Sequence, residues 1–291
     1  MNHVLSDARR GHPGLYWFAV AMVGLAAVLV VLAVVNPRTV TGANQWLKPL
    51  KFAISFTAYA GTLAWMLGQL RTRSFRSTGW IIVVASVIEM AIIAGQAARG
   101  RASHFNVDTR EDMLLFAIMG ATIVVLYLAT VAVALRFLRE PGSDRASGLA
   151  IRLGLLVGLV GLGVGWIMIA FGSHAVGVAD GGPGLPLVGW STTGGDLRIA
   201  HFVGMHALQA LPLLAAGLAA FGGRFDEAVR ARIVVVAAAG YTALVALLTW
   251  QALRAQPLLA PDALTLAALA VIALGVGAAV HDAVRGRRVA A

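Results

Sequence analysis

LYWFAVAMVGLAAVLVVLAVV, from Leu15 to Val35, is a run of 21 residues without a charged side chain. As a helix it reaches about 30 Å, the thickness of a bilayer's hydrocarbon core. It is longer than a signal-peptide core of about 7 to 15 residues, and no small-x-small site separates it from Asn36-Pro37, so it reads as a retained span. Seven more runs of similar length follow: 52–70, 80–98, 113–137, 153–172, 199–221, 233–253 and 263–280. A backbone in lipid must satisfy its own hydrogen bonds, and no ten-residue alternating pattern suggests a barrel, so all eight predict helices. The expected fold is all-α: a polytopic integral membrane protein, one helical bundle over 1–291.

Composition agrees. Of 291 residues, 59% are hydrophobic and 12% charged, and the mean hydropathy is +0.82. Soluble domains carry about 25% charged residues, so this chain has too little polar surface to cover itself in water. Membrane lipid is its first expected partner. The absence of cysteine excludes disulfides, thiolate nucleophiles, iron–sulfur clusters and cysteine-ligated zinc. The 21 arginines against 2 lysines, with abundant Ala, Gly and Val, point to a bacterial source and hence to the plasma (inner) membrane. The net charge of +10 falls in short groups between apolar runs, which argues against nucleic acid as partner.

Short loops rich in Lys and Arg stay cytoplasmic. With the N-terminus inside, the inner segments hold 15 basic residues: Arg9, Arg10, Arg71, Arg73, Arg76, Arg136, Arg139, Arg145, Arg152, Arg224, Arg230, Arg232, Arg285, Arg287 and Arg288. The outer ones hold eight: Arg38, Lys48, Lys51, Arg99, Arg101, Arg110, Arg198 and Arg254. Both termini are therefore expected to be cytoplasmic. The connection 173–198 is Gly/Pro-rich and reads as an outer lid.

Gly154, Gly158, Gly161 and Gly165 fall on one face of the fifth run, since steps of four, three and four residues return nearly to the same angle. Small residues at that spacing let helices approach closely. The expectation is a tight crossing within the chain, with a homo-oligomer or a groove for a flat cofactor as alternatives.

The third run contains the one acidic residue expected deep in the membrane, Glu89, with Gln96 two turns on. An intramembrane carboxyl is costly and marks a functional site by default. The opposite face, Ala91, Ala94, Gly95 and Ala98, is small enough to accept another helix. In the sixth run His201, Gln209 and His206 stand at about 0°, 80° and 140° around a continuous helix, so the two histidines are expected to diverge and address different partners. Pro212 leaves the carbonyl one turn earlier, near Leu208, without its bond, and predicts a kink there. The topology puts His104, His174, His201 and His206 on the outer side. Lys48, Lys51, Arg99 and Arg101 lie there too, against the positive-inside trend, as if held by an anionic group.

Three functions fit this outer polar zone. The first is a membrane oxidoreductase holding haem b or a metal ion, with His104, His201, His206 and His174 as ligands. Arg99, Arg101, Lys48, Lys51 and Gln209 would then line the cofactor, and Glu89 and Gln96 would serve as proton path or quinone contact. The second is a transporter or channel for a small anionic or proton-coupled solute, with the cations at its mouth and Glu89 as coupling site. The third is a non-catalytic assembly or sensing subunit.

Overall fold

The computed structural model describes residues 2–70, 75–140, 144–221 and 224–285. Among them the chain forms ten helices: α1 (Asn2–Gly11), α2 (Pro13–Val35), α3 (Leu47–Gly68), α4 (Arg76–Ala98), α5 (Arg110–Arg139), α6 (Arg145–Phe171), α7 (Leu197–Met205), α8 (Ala207–Ala220), α9 (Glu227–Leu253) and α10 (Ala263–Arg285). Four two-residue strands, β1 (Thr39–Val40), β2 (Ala43–Asn44), β3 (Ala175–Val176) and β4 (Gly195–Asp196), pair as two antiparallel ladders. Seven helices are long and apolar enough to cross a membrane, and the α7–α8 pair, bent by 42°, makes an eighth if it is one span. Each apolar run in the sequence is thus a helix or a broken helix, as a helical membrane protein requires. Arg71, Arg73, Arg287 and Arg288 lie outside the described residues.

The helices group into two compact units. The first is Met1–Leu135 with Asp180–Gly189. His12 joins its helices: Leu15 N–H donates to Nδ1 (3.0 Å), capping α2 with Pro13 in its first turn, while Nε2–H donates to the Arg76 carbonyl at the start of α4 (2.9 Å). Both ring nitrogens are used in the neutral tautomer, and burial holds the imidazole's pKa below its ordinary value. Gly11 is required where α1 crosses α3, because a Cβ there would enter Gly68 and the Ala64 carbonyl. At the far end of α2 the Asn44 amide donates to the carbonyls of Ala33 (2.9 Å) and Asn36 (3.0 Å), groups that a helix end leaves unpaired. Thr41 and Gly42, both at positive φ, make the tight turn between β1 and β2.

The second unit is Arg136–Ala179 with Trp190–Ala291. Asp144 caps α6 and Asp226 caps α9, each accepting from a backbone N–H three residues on, and Gly172 closes α6 at φ +64°. The four glycines of α6 face α7 and α8 of the same chain. A Cβ on Gly154 would touch the Ala207 carbonyl, one on Gly158 Met205 and Leu208, one on Gly161 the Gly204–Met205 peptide, and one on Gly165 the His201 ring. The expected intrachain crossing is what occupies this face. α10 has α9 as its neighbour and leaves Leu264, Leu266, Leu269, Val271 and Leu274 exposed, a surface that suits lipid rather than water.

The candidate polar sites

α5 begins earlier than its apolar run, and that shift creates a polar hub. Thr109 caps the helix: its Oγ1 accepts from Asp112 N–H (3.1 Å) and donates to Asp112 Oδ2 (2.7 Å). The buried Asp112 carboxylate also accepts from Gln96 Nε2 (2.8 Å) and Arg101 (2.5 Å). Arg99 donates to Gln96 Oε1 and to Glu111, both at 2.9 Å. Arg99 and Arg101 are thus held by carboxylates of their own chain. Arg198 likewise forks onto Asp196 (2.9 and 2.6 Å) and Arg254 onto Asp262 (2.5 Å), and Arg254 holds the Asp262 carboxyl well below the usual carboxylate range. Gln96 therefore serves Asp112, not Glu89.

Glu89 lies near the middle of α4 and is 2% exposed. Thr122 of α5 donates to its Oε1 (2.6 Å), and Lys48 of α3 acts on it electrostatically. Ser86, one turn away on α4, is fully buried, and its hydroxyl has no hydrogen-bond partner among the described residues. Tyr59 and Thr130, also buried, share a hydrogen bond of 2.5 Å. Two polar pairs, Glu89–Thr122 and Tyr59–Thr130, thus lie within the first unit. Lys51 donates to the Val188 carbonyl (2.9 Å), which ties the segment 180–189 to α3. The small face of α4 receives no helix among the described residues of the first unit: Ala91, Gly95 and Ala98 are exposed.

His104 belongs to the first unit. Its Nδ1 lies 3.1 Å from the Ser103 hydroxyl, and its ring sits among Phe52, Phe105 and Phe116 at 5.7, 6.3 and 6.4 Å. His174, His201, His206 and Gln209 belong to the second. His174 lies 3.9 Å from Asp196. His201 donates Nδ1–H to the Gly161 carbonyl (2.8 Å), and His206 donates Nδ1–H to Gln209 Oε1 (3.1 Å). The Phe202 ring stands edge-on to His206 at 4.4 Å and Trp190 lies 5.9 Å from Phe202. His206 is itself the break between α7 and α8, six residues before Pro212 and not at Leu208. Gly161 presses on Gly204 there, and the Tyr241 hydroxyl donates to the Val203 carbonyl (2.7 Å). His201 and His206 bond to different groups, the Gly161 carbonyl and Gln209. Among the described residues no three His, Asp or Glu side chains are grouped so as to hold a metal ion.

No protein-family model, no curated protein and no solved structure matches the chain.

Proposed function

We propose that the chain is an eight-span protein of the bacterial plasma membrane, both termini cytoplasmic, that moves a small anionic solute together with a proton. The observation that carries this reading is Glu89: a carboxyl buried at mid-helix, hydrogen-bonded by Thr122 and addressed by the Lys48 cation. A group in that setting exchanges a proton against the presence of positive charge, which is what coupling to an anion requires. Lys48 meets the anion and Glu89 the proton. The test uses purified protein in liposomes and a set of labelled two- to four-carbon carboxylates, driven by an acid-outside gradient. Uptake of at least one is expected, reduced by about tenfold or more in Glu89→Gln. Equal uptake by the variant rejects the role.

A second reading rests on the histidine pair of the second unit. With both Nδ1–H groups donated to oxygen, the Nε2 lone pairs are oriented for a ligand, the arrangement that metal- or haem-binding histidines use. His206 would be the haem b or metal ligand, and His201 its neighbour. If so, protein from haem-supplied cells shows a Soret band that His206→Ala removes or shifts. An unchanged spectrum in the variant rejects the assignment.

A further inference from the structure

The Thr122 hydroxyl has three acceptors in reach: Glu89 Oε1 at 2.6 Å, the Met119 carbonyl at 3.0 Å and the Ile118 carbonyl at 3.1 Å. It has one hydrogen to give. When Glu89 is ionised, that hydrogen goes to the carboxylate. When Glu89 carries a proton, the carboxyl donates to Thr122 Oγ1, and the hydroxyl hydrogen turns to Met119 or Ile118. Both states keep the hydrogen bond between Thr122 and Glu89 Oε1, and the Thr122 hydroxyl passes between them by a rotation about one C–O bond with no movement of heavy atoms. An apolar neighbour would leave the buried carboxyl unsatisfied in either state.

From this geometry we infer that Thr122 is the positioning residue that lets Glu89 gain and lose its proton inside the bundle. The inference rests on Glu89 being the proton-handling group proposed above. Other ionisable groups do not duplicate Thr122. Lys48 of α3 acts on Glu89 through its charge, Lys51 is bonded to the Val188 carbonyl, and Tyr59 to Thr130. Asp112 of α5 is engaged by Gln96 and Arg101, Tyr127 lies five residues beyond Thr122 on α5, and α2 carries no charged residue, its one phenol being Tyr16.

The test needs no transported solute. Infrared spectra of the full-length protein in lipid, taken across a pH series, report the protonated-carboxyl C=O stretch, and Glu89→Gln assigns the Glu89 band. In Thr122→Val the ionised form loses a charge-assisted bond and the neutral form a weaker one. The band is expected to persist to a pH about one unit more alkaline than in the wild type, while Thr122→Ser restores the wild-type midpoint. Thr122→Ala, which also lacks the hydroxyl, gives the same reading if valine disturbs packing. An unmoved midpoint in both hydroxyl-free variants overturns the role of Thr122 and leaves that of Glu89 standing. A wild-type Glu89 band that does not titrate at all overturns both.

Discussion

Gly161→Leu is expected to stop the second unit from folding as described, with loss of monodisperse protein in detergent. Gly161 and Gly204 meet backbone to backbone: a Cβ on Gly204 would lie 2.5 Å from the Gly161 Cα, and one on Gly161 would enter the Gly204–Met205 peptide. Overpacking a core costs about 1 to 3 kcal/mol when side chains can adjust. Here the obstacle is main chain at the break in α7–α8, so the cost should be about 3 kcal/mol or more. Gly163, two residues along the same helix, has nothing within 4 Å of a built Cβ. Gly163→Leu should leave stability unchanged or slightly raised, since leucine is the better helix former. Thermal unfolding followed by size-exclusion recovery separates the two. Equal stability of Gly161→Leu and Gly163→Leu would refute the crossing.

That crossing was legible because its cause is local in sequence. Glycines spaced four, three and four need no tertiary information to be placed on one face, and the apolar runs announce themselves because lipid imposes their length. Other features depend on contacts that no single run contains. Leu208 was the expected kink because Pro212 cannot bond its carbonyl; the helix breaks at His206 instead, where Gly161 presses on Gly204 and Tyr241 takes the Val203 carbonyl. The α1 helix and the β1–β2 turn were missed because both are too short to show a period. In the sequence Thr122 is one polar residue within an apolar run, and its bond to Glu89 depends on a second helix. Asp112 was missed for a different reason. The apolar run begins at Met113, and the helix start ahead of it, Thr109-Arg110-Glu111-Asp112, carries no apolar residue to mark it, only the Thr-x-x-Asp signature.

Asp112→Ala is expected to free the segment between α4 and α5. The carboxylate is buried and gathers four contacts: its own cap, Thr109, and the side chains of Gln96 and Arg101, with Arg99 at 3.7 Å. It is also in the first turn of α5, where a helix favours negative charge. Removing it leaves two guanidinium groups and an amide without their common acceptor, and the neighbouring carboxylate, Glu111, is already engaged by Arg99. Asp112→Asn should fail as well, since an amide keeps the shape but turns an NH2 toward cations that need an acceptor. Glu111→Ala is the control. Its carboxylate is 66% exposed and its bond to Arg99 is open to solvent, so water substitutes for it at little cost. Amide hydrogen exchange over 99–109 should quicken by about an order of magnitude or more in both Asp112 variants and barely change in Glu111→Ala. Because acidic residues weigh little in membrane orientation, a C-terminal reporter should report the same side of the membrane in all three as in the wild type. Exchange in Asp112→Ala no faster than in Glu111→Ala would mean that the aromatic contacts around His104, and not the buried carboxylate, hold this segment in place.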